Sequence, residues 1–99
     1  MNFDFHKSAS EELSNAVNYY EECEPGLGND FLEEVYAAIK RILAYPEAWT
    51  KFSSRTRRCL VHRFPFSIIY LVKENEIIII AIAHSHQKPN YWKQRLSED

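Results

Sequence analysis

Apolar residues follow two different rhythms along this chain. In the first half they recur every three or four positions. In the second half they alternate or run without a break. Ala9, Leu13, Ala16, Val17 and Tyr20 make one helical stripe, with Glu11, Glu12, Glu21 and Glu22 mostly off it. Phe31, Val35, Ala38, Ile39 and Ile42 make a second stripe, widened by Leu32, Tyr36 and Leu43. Glu24-Pro25-Gly26-Leu27-Gly28 separates the two, and Pro46 stops the second. Ser8 and Glu11 have the spacing of a capping box, and Asn29 or Asp30 suits the start of the second helix. Two amphipathic helices joined by so short a connection predict an antiparallel helical hairpin.

Period-two segments flank the hairpin. Residues 2–6 alternate Phe3 and Phe5 with Asn2, Asp4 and His6, which predicts a short half-buried strand. Residues 48–55, with Trp49 and Phe52, read as a loop or short edge strand. Three strands then follow, over 58–63, 66–72 and 76–84. Phe64-Pro65 interrupts the first, and Lys73-Glu74-Asn75 turns the second into the third. The second strand is apolar on both alternating sets, with Phe66, Ile68, Tyr70 and Val72 on one and Ile69 and Leu71 on the other. Residues 77–82 are apolar throughout. A strand covered on one face alternates with polar residues; an unbroken run implies cover on both. The charged turn is too short for a crossover, so this meander is antiparallel. The order β-α-α-β-β-β predicts one α+β domain over residues 1–99: a two-layer fold with the helical hairpin packed on an antiparallel sheet. The first strand should enter beside a later one and leave an edge open. Pro89 followed by Tyr91 and Trp92 predicts a short C-terminal helix that packs Trp92 on the sheet edge.

Composition narrows the class. A chain of 99 residues supports a single core. Cys23 and Cys59 show no motif spacing and read as reduced thiols. No run of about 18 apolar residues exists to span a membrane. The acidic, strand-like start is unlike a secretory leader, so a cytoplasmic protein is expected. The net charge of −2 hides a split. Residues 1–50 hold three Lys/Arg against ten Asp/Glu, whereas residues 51–99 hold nine against four. The basic half suits nucleic acid or an acidic protein partner.

Candidate chemistry concentrates in that basic half. Arg55, Arg57, Arg58, His62, Arg63, His84, His86, Lys88, Lys93 and Arg95 lie among Tyr91 and Trp92, a mixture of cations and stacking surfaces that suits RNA or single strands. RNA cleavage by its own 2′-hydroxyl needs a base, a cation on the phosphorane charge and an acid. His62, His84 or His86 suits the acid or base and the arginines suit the clamp; if the chain is a nuclease, the catalytic candidates are His62, Arg63, His84 and Tyr91. His84 and His86 share one side of an extended chain, but two imidazoles with no third ligand in register are not a metal centre. Neither a metal nor a cofactor is expected. Phe64-Pro65-Phe66 marks a bulge or tight hairpin, since Pro cannot donate to a ladder. Gly-rich phosphate loops and Ser/His/Asp patterns are absent.

Several segments together resemble the RelE/ParE toxin superfamily over residues 3–95. They are the Tyr19-Tyr20-Glu21 helix end, Pro25-Gly26-Leu27-Gly28 followed by Phe31, and Pro46 after the second helix. To these add Arg63-Phe64-Pro65-Phe66-Ser67-Ile68-Ile69-Tyr70, and Ala83-His84 followed by Lys88-Pro89, Tyr91-Trp92 and Arg95. The last two segments are most similar to ParE-like members. The resemblance implies a toxin of a bacterial type II toxin–antitoxin pair, growth-inhibiting and neutralised by a cognate antitoxin, as a homodimer or a toxin–antitoxin heterotetramer. ParE-like members poison DNA gyrase without being nucleases; RelE-like members cut mRNA on the ribosome. RelE-like enzymes carry an arginine on the second meander strand where this chain has Ser67, and another after the last strand where it has Gln87. Losing both cations favours a gyrase-directed toxin, with the ribosome-dependent endoribonuclease as the alternative and a non-toxic binding module as a third reading. On the first reading Arg57, Arg58, Arg63, His86, Lys88, Trp92, Lys93 and Arg95 form a target- or nucleic-acid-binding surface.

Overall fold

The computed structural model describes residues 1–98. The order is β1 (Asn2–Phe5), α1 (Lys7–Cys23), α2 (Leu27–Ala44), β2 (Thr50–Lys51), β3 (Arg57–Leu60), β4 (Phe66–Lys73), β5 (Glu76–His84) and a closing 3₁₀ helix (Lys93–Glu98). The sheet runs β1-β5-β4-β3-β2. Its meander is antiparallel as expected, and residues 50–51 add the short edge strand. The sheet as a whole is mixed, because β1 lies parallel to β5, from Asn2 opposite Glu76 to Phe5 opposite Ile79. Tight turns dictate antiparallel pairing only between strands they join. The helical hairpin separates β1 from the meander and leaves its direction open.

The unbroken apolar run in β5 has a structural cause beyond central placement. Ile69 pairs with Ala81 and Tyr70 with Ile79, so Ile80 is an extra residue, a β-bulge. The bulge reverses the alternation. Ile77 and Ile79 face the helices before it and Ile82 after it, while Ile80 and Ala81 both join the opposite face.

Both faces are covered. On one, Phe31, Val35, Ala38, Ile39 and Ile42 of α2 pack with Ile68, Tyr70, Ile77, Ile79 and Ile82. Of the α1 stripe, Ala9 is fully buried, and Leu13, Ala16, Val17 and Tyr20 pack at the margin. On the other face, Trp92, only 2% exposed, lies with Ile69, Leu71, Ile80 and Ala81. It therefore covers the back face of the sheet rather than its edge.

The helix caps differ from the sequence expectation. α1 is capped by His6, whose Nδ1 accepts from the Ser8 N–H at 3.0 Å, two residues before the expected cap. α2 starts at Leu27, after Gly26 at φ 92°. Its exposed amides are met by Glu21 of α1, which accepts from the N–H groups of Gly26 and Gly28 at 3.0–3.1 Å. A carboxylate from a neighbouring helix satisfies orphan donors as well as a local side chain does. At Gly28 the helices approach closely: a Cβ there would stand 2.6 Å from the Val17 carbonyl oxygen.

Two predictions follow from this packing. Gly28→Ala must push α1 off α2 and should destabilise the chain by about 1–3 kcal/mol, the usual cost of overpacking, read as a lower urea midpoint. An unchanged midpoint would show that the hairpin tolerates the methyl. The second prediction concerns Tyr70, whose hydroxyl donates to the Pro46 carbonyl at 2.6 Å and ties β4 to the end of α2. Burial pushes its pKa up to about 12, with Arg57 pulling the other way. A raised pKa stabilises the fold fully below the unfolded value near 10, and that contribution disappears as pH climbs through about 12. Stability should therefore fall across this interval in alkaline titrations, and less steeply in Tyr70→Phe.

Candidate functional site

The back face of the sheet carries a cleft of about 280 Å³. Arg58 reaches it from β3, Ser67 from β4 and His84 from the end of β5; Gln87, Lys88, Tyr91 and Trp92 close it from the tail. Alternation sends Arg57 the other way, where its guanidinium donates to the Trp49 carbonyl at 2.9 Å. The Arg58 guanidinium lies 5.2 Å from the Phe52 ring centroid, a cation–π contact at the cleft wall.

His84 is held on three sides. Its ring meets Phe66 edge-on at 5.0 Å and stacks on His86 at 5.2 Å. Its Nδ1 accepts the His86 backbone N–H at 3.0 Å, and its own N–H donates to Gln87 Oε1 at 3.1 Å. The Gln87 N–H donates to the His84 carbonyl at 3.0 Å, so the chain turns as β5 ends and the two imidazoles stack beside the turn. Among the described residues no three His, Cys, Asp or Glu side chains gather as a metal site.

The four residues suited to RNA cleavage are divided. His84 and Tyr91 line the cleft, whereas His62 and Arg63 lie in the β3–β4 connection and do not. Arg63 takes φ 72° there, and its guanidinium reaches Asp30 at 3.5 Å and Glu34 at 3.8 Å on α2. Of the residues expected at the target-binding surface, Arg63, His86, Lys88 and Lys93 are exposed. Trp92 is buried, and Arg95 is engaged elsewhere.

Arg95 is engaged by Glu12, a residue the pattern of α1 leaves among solvent-facing acids. Arg95 Nη1 donates to Glu12 Oε1 at 2.9 Å and Nη2 to Oε2 at 3.0 Å, a bidentate pair with side chains 15% and 20% exposed. Oε2 also accepts the Tyr91 hydroxyl at 2.7 Å, and Oε1 the Ile82 backbone N–H at 3.0 Å. Arg95 Nη1 donates further to the Ile80 carbonyl at 2.8 Å, with its guanidinium 5.1 Å from the Tyr91 ring centroid. Burial raises the Tyr91 pKa well above its ordinary value, and the Glu12 carboxylate raises it further against the pull of Arg95. Burial alone would lower the Arg95 pKa; its bond to Glu12 outweighs that and raises it. Tyr91 therefore stays a proton donor to Glu12, and Arg95 stays charged. No periodicity signals this clasp, because Tyr91 precedes the 3₁₀ helix that carries Arg95 and Glu12 lies on α1.

A second cleft, of about 480 Å³, runs between α1 and the last residues of β5. Tyr19, Tyr20 and Phe66 give it apolar walls, and Glu12 lines its end. His84 and Gln87 border both clefts.

Comparison with known proteins agrees with this architecture. A solved structure described as the chromosomal ParDE TA system from P. aeruginosa superposes with a TM-score of 0.74 at 22% identity, covering 85% of this chain and 95% of that one. Toxin ParE2 of Mycobacterium tuberculosis, from strains CDC 1551 / Oshkosh and ATCC 25618 / H37Rv, is 25% identical over 97 residues, spanning 93% of this chain and 89% of the relative. The family model for the ParE toxin of the type II toxin-antitoxin system, parDE, matches residues 3–89, and the chain accordingly belongs to the ParE toxin family.

Proposed function

We propose that this toxin acts in the cytoplasm by binding DNA gyrase through the basic back face of its sheet, and that a cognate antitoxin neutralises it. The observation carrying this reading is the make-up of the back-face cleft. Ser67 and Gln87, the positions where an RNA-cutting relative would hold arginines, both line it. Tyr91 beside them has its proton committed to Glu12. A phosphorane transition state would thus meet an uncharged wall at two of its customary contacts. Arg58, Lys88 and Lys93 supply the charge that steers an acidic or nucleic-acid-bearing target, with His86 exposed beside them. Trp92 and Arg95 hold the surface in shape. For the antitoxin, the 480 Å³ cleft offers an apolar groove beside an incompletely paired strand, which suits an extended segment.

A ribosome-dependent endoribonuclease is the second reading. It is favoured by the convergence of Arg58, Lys88 and His84 on one cleft. Expression without antitoxin, followed by supercoiling assays with purified gyrase and primer extension on translated mRNA, separates the two. The gyrase reading expects lost supercoiling with intact transcripts; cut transcripts with intact supercoiling would overturn it. Lys88→Ala combined with Lys93→Ala removes exposed charge without touching the core. It should weaken gyrase inhibition by roughly tenfold at low salt and less at high salt, as screening of rim charges requires.

A further inference from the structure

β5 is nine residues long, and β1 pairs with only its first four. The last backbone bond along that edge is from the His6 N–H to the Ile79 carbonyl at 2.8 Å. Beyond it, the Ile80 carbonyl, the Ile82 N–H and the His84 N–H bond to side chains. An unpaired apolar strand edge is a template for another strand unless something occupies it. Here the occupants are side chains: Arg95 takes the Ile80 carbonyl and Glu12 the Ile82 N–H. Those side chains also bind each other and Tyr91, so the carboxylate that plugs the edge also secures the tail.

We propose that the Glu12–Tyr91–Arg95 clasp is a latch that closes the open half of the β5 edge and holds the C-terminal segment 91–96 in one cooperative unit, so that neither opens without the other. Three features support cooperativity. Every member contacts the same carboxylate. The bidentate geometry gives the pair little freedom to keep one bond and lose the other. The clasp also lies at the Ile80 bulge, where the ladder is already irregular and the edge is set by side chains rather than by a neighbouring strand. A strand pairing with Ile80 and Ile82 must evict Glu12 and Arg95, and eviction releases Tyr91 and the turn that places Trp92. Occupation of the edge is thereby coupled to the shape of the back face. On the function proposed above, an antitoxin segment seated at this edge would disarm the target-binding face without covering it. That consequence rests on the toxin reading, whereas the latch does not.

The test is amide hydrogen exchange, read by NMR on the full chain alone, with neither target nor antitoxin. The diagnostic variant is Tyr91→Phe, because Tyr91 bonds only Oε2 and leaves the Ile82 N–H bond to Oε1 untouched. If the latch is one unit, Tyr91→Phe speeds exchange at Ile82 and at the tail amides of Lys93 and Arg95 by a common factor of about tenfold, the order expected for losing a hydrogen bond to a charged group. Glu12→Gln should do the same with a larger factor. In both, the amides where β1 covers β5 keep their wild-type protection. Faster exchange in the tail with Ile82 unchanged would overturn the proposal, as would a change at neither place. Should Glu12→Gln lose protection throughout, the milder Tyr91→Phe still decides. Failure of this test leaves the gyrase and supercoiling outcomes unaffected.

Discussion

The constraint that shapes this molecule is the need to bury both faces of the β4–β5 pair with a chain of 99 residues. A doubly apolar pair of strands is stable only between two layers. The helical hairpin supplies one layer in full. On the other, Trp92 lies at the centre with Tyr91 and Leu96 around it, and Phe52 meets its ring at 5.7 Å. An aromatic of this size covers in one side chain what a helix would otherwise cover. The tail is therefore a structural layer and the wall of the back-face cleft at once, so the shape of the candidate binding surface is inseparable from the core.

Much of this was legible because burial writes itself into periodicity. The two helical stripes, the antiparallel meander and the double cover of residues 77–82 are each dictated by which positions must avoid water. What escaped was decided by groups that periodicity does not track. The Ile80 bulge leaves no trace in an apolar run, since a parity change among isoleucines looks the same either way. The parallel entry of β1 depends on how the hairpin returns the chain, not on residues 2–5. Caps were misplaced for a related reason. Ser8 and Asn29 are good local candidates, but His6 and the distant Glu21 were geometrically better placed to meet the amides.

The candidate site shows the same division. The basic character of the second half was readable from residue types, and the family resemblance singled out Ser67 and Gln87, which the fold brings to one cleft. The role of Glu12 was not. It flanks the apolar stripe of α1, and a glutamate in that position is ordinarily a solvated face. Only the fold places it against the end of β5, where β1 has stopped and two backbone groups need partners. An edge that a longer β1 would have paired instead imposes a requirement on a helix 70 residues away in sequence.

That requirement also recasts the charge split between the two halves. An acidic first half and a basic second half suggest a molecule with two opposed electrostatic faces. In the fold, part of that difference is spent on joining the halves. Arg63 meets Asp30 and Glu34 on α2, and Arg95 meets Glu12 on α1. The first pairing is exposed, with 56% of the Arg63 side chain in water, and contributes little. The second is shielded, bidentate and bonded to the backbone, so it fixes position as well as energy. Among the described residues, Arg58, Lys88 and Lys93 are cations of the basic half that form no ion pair with the acidic first half. Any partner drawn to the basic half is drawn to these, while the paired arginines determine the surface on which it lands.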